Sequence, residues 1–262
     1  MAASPGSGST SSTSCGAPFE VFVNEARRQH RLLYGRKRGR PLRPYQRSLL
    51  EELLPRLAIG LPVAGASDPE TWFTERPKSI WLEIGFGAGE HLAAQAEHRR
   101  EIAFIGCEVF ENGIAKLLGE IERRQLSNIR LFVDDARLLI AALPPQSIDG
   151  VFILFPDPWP KVRHHKRRIV SRETLDGLAR IMTARAELHL ATDDPGYFSC
   201  MLELVTGHCA FEWQARCPVD WQERPPGALP TRYEQKARAA GRSCAFLRAR
   251  RRPLAEQHDI VG

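Results

Sequence analysis

Residues 79–89 read SIWLEIGFGAG, a short apolar run that ends in three glycines at alternate positions. The run is bulky and rich in β-branched and aromatic residues, which is typical of a buried parallel strand. Gly85, Gly87 and Gly89 allow the backbone a tight turn, and the helix-like segment 90–100 follows at once. A strand, a glycine turn and a helix N-terminus predict a cradle in which a nucleotide-like ligand approaches the backbone closely.

The rest of the chain alternates strand and helix patterns around this turn. Further strands are predicted at residues 103–109, 128–135, 148–155 and 187–192, and helices at residues 111–125, 171–183 and 197–207. Two last strand patterns, 211–216 and 244–250, are separated by a long proline-rich loop instead of a helix. The fold class is therefore α/β: a mostly parallel seven-stranded sheet with an antiparallel C-terminal edge hairpin and helices on both faces.

Four parts of the chain are predicted from composition. Residues 1–18 are mostly Ser, Gly, Ala, Thr and Pro, which predicts a disordered tail. The remaining parts are a basic arm with a docking helix near residues 49–59 (residues 19–77), the main domain (residues 78–253) and a C-terminal tail (residues 254–262).

The segment 27–47 of the arm carries nine Lys or Arg residues and no acid, with Tyr34 and Tyr45 among them. Such a block is either a solvated tail or targeting patch, or an electrostatic arm that binds nucleic acid. The whole chain has 37 Lys and Arg against 31 Asp and Glu, a net charge of +6 and a pI near 9.2. This balance favours a polyanionic partner.

Other patterns exclude several classes of protein. The six cysteines include no C-x-x-C pair and no Cys/His spacing of zinc type, which predicts reduced thiols in a cytosolic protein and no metal site. No run approaches eighteen apolar residues, and residues 1–18 lack the basic start and apolar core of a secretion signal. We therefore expect a cytoplasmic protein without a membrane span.

Acidic residues follow the predicted strands, where a parallel sheet binds its ligand. They are Glu83, Glu108, Asp134, Asp135, Asp157, Asp193 and Asp194. Each alone is compatible with a helix N-cap or a solvated loop acid. The repetition at successive strand ends instead indicates a ligand that carries positive charge.

A nicotinamide-dependent oxidoreductase is the nearest competing interpretation, because Glu108 follows Gly85 by 23 residues, as the ribose-binding acid of a dinucleotide site does. The glycines here run G-x-G-x-G, however, and Glu90 stands where the dinucleotide pattern needs a small residue. Glu83 before the first glycine would also repel a pyrophosphate. S-adenosylmethionine, with an ammonium, a sulfonium and no phosphate, fits these acids better.

Residues 155–170, FPDPWPKVRHHKRRIV, are the most specific string in the chain. Together with LEIGFGAGEHL, IGCEV, the DDA after the third strand, the ATD after the fifth and TRYE near the end, they resemble the bacterial tRNA (guanine-N7-)-methyltransferase family. The resemblance covers about residues 42–250 and implies a Rossmann-like methyltransferase sheet. It implies methyl transfer from S-adenosylmethionine to N7 of a guanine in the tRNA variable loop, position 46 of tRNA.

The resemblance also implies site residues. Cofactor contacts fall at Glu83, Glu108, Asp135 and Asp157, beside the cradle glycines Gly85 and Gly87. Asp157 is also the implied catalytic residue, and the implied substrate contacts are Lys161, Asp193, Thr231, Arg232, Tyr233 and Glu234. The Arg232–Tyr233 pair replaces a Lys-Phe or Lys-Tyr pair, which keeps the positive charge. Whether Asp134 or Asp135 contacts the adenine end stays open.

The chemistry is consistent with these residues. N7 of guanine carries an in-plane lone pair and no proton at neutral pH, so attack on a sulfonium methyl group needs no general base. Catalysis then depends on positioning and electrostatics, and Asp157 would orient the base and stabilise its developing positive charge. A second basic cluster at residues 161–168 would form, with the arm, a phosphate-binding track. Trp159 either stacks on a base or covers the core.

Two other functions remain compatible with the sequence. A methyltransferase of another RNA, a protein or a small molecule would share the fold, but a protein or small-molecule substrate would not require two basic clusters. A non-catalytic RNA-binding protein with this fold would be expected to lack the cofactor acids, and none is missing. The resemblance implies action without an obligatory protein partner, as a monomer or a homodimer.

Overall fold

The computed structural model describes residues 37–61, 66–226 and 228–253. The predicted tails and residues 19–36 of the arm lie outside this range. Seven strands are present: β1 Ser79–Ile84, β2 Ile102–Cys107, β3 Ile129–Phe132, β4 Ile148–Leu154, β5 Met182–Thr192, β6 Phe211–Trp213 and β7 Ala245–Arg251. The helices after β1 are α2 Glu90–His98, α3 Glu111–Arg124, α4 Ala136–Ala142, α5 Arg172–Ile181, α6 Pro195–Thr206, α7 Val219–Gln222 and α8 Arg232–Ala239.

The strands form one sheet in the order β3-β2-β1-β4-β5-β7-β6. β1 to β5 are parallel, and β7 runs antiparallel to both β5 and β6. The predicted mostly parallel sheet with an antiparallel edge is confirmed. Because β1 lies between β2 and β4, the winding of the chain reverses at β1, and ligands of such sheets bind at this switch point.

Helices cover both faces of the sheet, as predicted. On one face α4, α5 and α6 bury Leu139, Leu178 and Met201 in the larger hydrophobic cluster. On the other face α2 and α3 pack with Leu92 and Leu117 in a second cluster. Each strand therefore places apolar side chains on two sides, which explains the nearly continuous apolar runs in the sequence.

A helix, α1, overlaps the predicted docking helix near residues 49–59 but begins and ends earlier. It consists of an α-helical start Pro44–Ser48, a π-helical turn Leu49–Leu53 and an α-helical end Leu54–Leu57. Pro44 occupies the first turn, where its missing N–H costs no hydrogen bond. Leu49 and Leu57 are buried in the second cluster. The N–H of Ile59 then donates to the carbonyl of Leu131 in β3 at 2.8 Å, so the arm is joined to the sheet edge.

Several elements differ from the sequence prediction, among them β3, β5 and α8. β3 ends at Phe132, because Asp135 caps α4 instead of extending the strand. β5 begins at Met182, five residues before the predicted start, and includes Arg185 with a positive φ of 66°. Helix α8 lies within the predicted proline-rich loop. Thr231 caps it by accepting from the N–H of Glu234 at 3.0 Å, and the T-x-x-E spacing of a capping box was the available signal.

Candidate active site

A cavity of about 370 Å³ lies at the carboxyl ends of β1 to β4. Its volume is within the roughly 300–1,000 Å³ typical of ligand sites. The predicted site residues that line it are Gly85, Gly87, Glu108, Asp135, Asp157 and Tyr233. Cys107, Phe110, Asp134, Arg137, Trp159 and Arg167 also contribute to the lining. The ends of β1 and β2, the segments that follow β3 and β4, and α8 are thus brought together around one space.

The glycine turn is packed from two sides. Gly85 and Gly87 have φ values of +74° and +59°, which side chains other than glycine rarely adopt. A Cβ atom on Gly87 would lie 3.1 Å from Cε2 of Tyr233, and a Cβ on Gly113 of α3 would lie 2.0 Å from the carbonyl oxygen of Gly87. The turn is therefore enclosed by α3 below and by Tyr233 above.

Glu108 holds the same turn from β2. One carboxylate oxygen accepts from the N–H of Gly87 at 2.9 Å, and the other accepts from the N–H groups of Val109 and Phe110 at 2.7 and 3.0 Å. These backbone donors fix the carboxylate on the cavity wall. Its remaining acceptor capacity is available to hydroxyl groups of a ligand.

The two acids after β3 have different environments. Asp135 is buried, accepts from the N–H of Arg137 as the N-cap of α4, and forms an ion pair with the Arg137 guanidinium at 2.9 Å. Asp134 accepts from the N–H of Asp135 at 2.8 Å, and its carbonyl accepts from the Cys107 thiol. Burial raises the pKa of Cys107 well above its usual value, so the thiol stays protonated. Both acids line the cavity.

Asp157 is exposed in the loop that follows β4. Two bulky residues with positive φ bracket this loop, Phe155 at 52° and Trp159 at 45°. The Trp159 ring is covered by the guanidinium of Arg167 at 4.8 Å and contacts the edge of His164 at 5.8 Å. This backbone is strained, and such strain is common where a functional side chain is held in place.

Glu83 stands apart from the cavity lining. It is 3% exposed, and its carboxylate bonds to Nδ1 of His91 in α2 at 2.8 Å. His91 in turn contacts Gln95, and Gln95 bonds to Arg99. Glu83 thus connects β1 to the helix after the glycine turn, and its contact with a cofactor stays a prediction.

The predicted substrate residues occupy different places around the cavity. Lys161 is exposed beyond the strained loop, and Asp193 forms an ion pair with Arg242 at 2.7 Å. Glu234 is buried and pairs with Arg224 and Arg238 at 3.3 and 2.9 Å, which anchors α8. Arg232, next to it, is exposed.

Tyr233 is the member of this group that lines the cavity. Its ring lies over Gly87 and is 51% exposed. Partial burial and the negative charges of Glu108 and Asp157 raise its pKa, so the phenol remains a hydrogen-bond donor at neutral pH. Tyr233 lines the same cavity as these two predicted acids.

Basic residues approach the cavity from two sides. At the α3 side, the N–H of Gly39 donates to Asn112 and the Asn112 amide donates to the carbonyl of Arg40, so the described end of the arm lies on the start of α3 beside Phe110. Lys37, Arg38 and Arg40 are exposed there, and we call them the arm surface. Beyond Asp157, the exposed Lys161, Arg163 and Lys166 form the loop surface.

Several cavity residues were missed by the sequence reasoning. Arg137 was not singled out, although an arginine two residues after Asp135, at the start of a helix, was a usable signal. Phe110, two residues after Glu108, was not singled out, and Arg167 was noted only as part of the basic cluster. Within the described ranges, no group of three or more His, Cys, Asp or Glu side chains is placed to bind a metal ion.

Comparison with known proteins gives a consistent result. A family model described as "Putative methyltransferase" matches residues 77–247, more than half of the chain. A tRNA (guanine-N(7)-)-methyltransferase of Rhodospirillum rubrum is 47% identical over 227 residues, 85% of this chain and 88% of that relative. The chain belongs to the tRNA (guanine-N(7)-)-methyltransferase family. The corresponding protein of Paramagnetospirillum magneticum is 46% identical over 84% of this chain and 92% of its own length.

Family membership agrees with the fold. The crystal structure of the 16S rRNA methyltransferase KamB superposes with a TM-score of 0.53, covering 75% of this chain and 99% of that chain at 16% identity. At this identity the likeness concerns the fold alone. Among the helices that the structure describes, none has the length and apolar character needed to cross a bilayer.

Proposed function

We propose that this protein is a tRNA (guanine-N7-)-methyltransferase that uses S-adenosylmethionine and modifies N7 of the guanine at position 46 of tRNA. The relatives named above support the reaction, since both carry this name and match most of the chain. The observation that carries the proposal is the convergence of Glu108, Asp135 and Asp157 on one cavity above the glycine turn.

The cavity fits such a cofactor in charge and shape. Its acids suit a ligand with ammonium and sulfonium groups, and Gly85, where a Cβ atom would meet no other atom within 4 Å, leaves room for close approach to the backbone. Glu108 would accept from ribose hydroxyls, and Asp135 or Asp134 from the adenine amino group. Glu83 remains a candidate to bind the ammonium group of the cofactor. This group would compete with His91 for the Glu83 carboxylate. When bound, S-adenosylmethionine supplies a methyl group that its sulfonium activates.

The protein's own residues then position the base. In this proposal Asp157 accepts from N1–H and the amino group of guanine and stabilises the positive charge that develops on the ring. No proton is removed, because N7 carries none. Lys161, Asp193 and residues 231–234 bind the RNA, and the arm and loop surfaces contact its phosphates. A tRNA substrate implies action in the cytoplasm, and residues 78–253 would be the catalytic domain.

Nucleoside mass spectrometry tests this proposal. Purified protein, S-adenosylmethionine and an unmodified tRNA transcript with guanine at position 46 should yield one 7-methylguanosine per molecule. The matched control is the same transcript with adenine at that position, which should yield none. Methylation of the control transcript, of another atom, or of neither RNA would contradict the proposed reaction.

A further inference from the structure

The loop that carries Asp157 has little regular structure of its own. Residues 156–160 include three prolines, so only Asp157 and Trp159 have backbone N–H groups. Phe155 and Trp159 at its two ends have positive φ values of 52° and 45°. A non-glycine backbone of this kind persists only when the surrounding structure holds it.

Arg168 holds the backbone of this loop through a hydrogen bond. It is 7% exposed, and its Nε donates to the carbonyl of Pro158, the residue after Asp157, at 2.8 Å. Its guanidinium stacks on the ring of Tyr197 at 4.6 Å. One flat group therefore fixes the loop and is itself fixed by an aromatic face.

Tyr197 is anchored in the core. It is fully buried, and its hydroxyl accepts from the N–H of Val170 at 3.2 Å. Its own N–H donates at 2.7 Å to Asp194, the N-cap of α6. Burial raises the pKa of Tyr197, so its phenol stays neutral. The connection runs from the larger hydrophobic cluster through Tyr197 and Arg168 to the loop.

We propose that Arg168 and Tyr197 form a clamp that positions Asp157 for the methyl transfer, an inference that rests on the proposed function. Arg168 does not line the cavity, whereas its neighbours Arg167 and Ile169 do. Arg168 is therefore a positioning residue. Loss of the clamp should slow the chemical step and leave cofactor affinity nearly unchanged, because a misplacement of about 1 Å costs about 100-fold in rate.

The test compares Arg168→Met with Arg168→Lys and with Arg251→Met. Arg251 is a matched control, because it is 3% exposed and its Nε also donates to a backbone carbonyl, that of Ala179, at 3.2 Å. We expect Arg168→Met to lower the single-turnover rate about 30–100-fold at saturating cofactor and tRNA. Arg168→Lys should recover part of the rate, and Arg251→Met should keep it.

Two further measurements complete the test. The dissociation constant of S-adenosylhomocysteine should stay within about threefold of wild type in Arg168→Met. Hydrogen exchange of the free protein should increase at Asp157 and Trp159 in this variant, and not in Arg251→Met. If Arg168→Met does not fold, Arg168→Lys replaces it in the test. We then expect a smaller loss of single-turnover rate, a smaller increase in hydrogen exchange and the same near-constant cofactor affinity.

Either of two results would overturn the clamp: wild-type rate and exchange in the Arg168 variants, or an equal loss of rate in Arg251→Met. Failure of the proposed function looks different. In that case the wild-type protein forms no 7-methylguanosine, and the exchange comparison still decides whether Arg168 holds the loop.

Discussion

The carboxylates around the cavity differ in how the protein holds them. Glu108 is fixed by backbone N–H groups and Asp135 by the Arg137 guanidinium, whereas Asp157 is exposed on a strained loop. Donors that hold a carboxylate also neutralise part of its charge. Asp157 is therefore the acid best placed to act on charge that appears in an incoming base.

Replacing Asp157 tests this assignment at the residue scale. Asp157→Asn keeps the size and an acceptor but removes the charge, and we expect its single-turnover rate to fall about 100-fold or more. Asp157→Ala should be slower still. Glu120→Gln, which removes a carboxylate paired with Arg123 and Arg124 on α3, should keep the rate. An Asn variant with wild-type rate would show that the charge of Asp157 is not used.

At the scale of elements, α3 supports the glycine turn through close contacts, of which the closest is at Gly113. Gly113 lies in its first turns, where the helix approaches the carbonyl of Gly87 without room for a Cβ atom. Gly119 lies further along the same helix, and a Cβ there would meet only Cδ1 of Leu49 at 3.8 Å, an ordinary contact. The same substitution should therefore have opposite effects at the two sites.

We expect Gly113→Ala to lower the free energy of unfolding by about 1–3 kcal/mol through overpacking and to weaken cofactor binding at least tenfold. Gly119→Ala should raise the free energy of unfolding by about 0.5–1 kcal/mol, because alanine favours the helix. Urea denaturation and calorimetric titration with S-adenosylhomocysteine measure both effects. Unchanged binding in Gly113→Ala would mean that the turn does not depend on α3.

The connection between α6 and β6 contains a pH-sensitive element. Nδ1 of His208 accepts from the N–H of Ala210 at 3.1 Å, and its Nε2 bonds to Asp176 at 3.0 Å, so the neutral ring is fully paired. Burial lowers the pKa of His208 below its usual 6.5, although Asp176 opposes this effect. The unfolded chain therefore binds a proton more readily, and stability should be lost as the pH falls below about 6.5.

His208→Gln removes this titration, so its free energy of unfolding should change less between pH 7 and 5 than that of wild type. The variant will be less stable at pH 7, so the diagnostic quantity is the slope of the free energy of unfolding against pH. His98→Gln is the control, because His98 is exposed and bonds only to the carbonyl of Ala94 among the hydrogen bonds described. Equal slopes in wild type and His208→Gln would refute this account.

For the whole molecule, the distribution of charge is more informative than its sum. The arm surface lies on the start of α3 and the loop surface follows β4, so the two lie on opposite sides of the β1 strand end and its cavity. A folded RNA that bridges them would pass over Asp157 and Tyr233. Release of counterions from its phosphates should then make binding strongly dependent on salt.

Removing two cations of the loop surface should reduce this dependence. For Arg163→Gln/Lys166→Gln we expect weaker tRNA binding and a slope of log K against log salt that is shallower by about one to two. Arg76→Gln/Arg123→Gln removes the same charge from exposed residues paired with Glu70 and Glu120. Equal changes of slope in both double variants would indicate an effect of net charge and no local phosphate contact.

The sequence predicted the elements more reliably than their ends. Periodic apolar residues located the strands and most helices, since such patterns depend on local burial. The start of β5 was wrong because Met182 pairs with Ile148 of β4, a contact distant in the chain, and residues 183–186 lie in the irregular stretch between this pair and the Gly150–Glu187 pair. Helix α8 was missed because prolines before it dominated the local signal, and the position of its Tyr233 ring over Gly87 depends on contacts distant in the chain.

The sequence by itself determined the strand, the glycine turn and the acids at successive strand ends, because these follow from residue type and spacing. Only the tertiary structure decided which acids share a cavity. Neighbouring residues in a strand point to opposite faces, so Glu83 of β1 bonds to His91 of α2 while the next residue, Ile84, lines the cavity. Glu108 and Asp157 reach the cavity from the segments that follow β2 and β4. The anchoring of Asp157 by Arg168 and Tyr197 was likewise decided by packing, because no local pattern encodes a distance between separate elements.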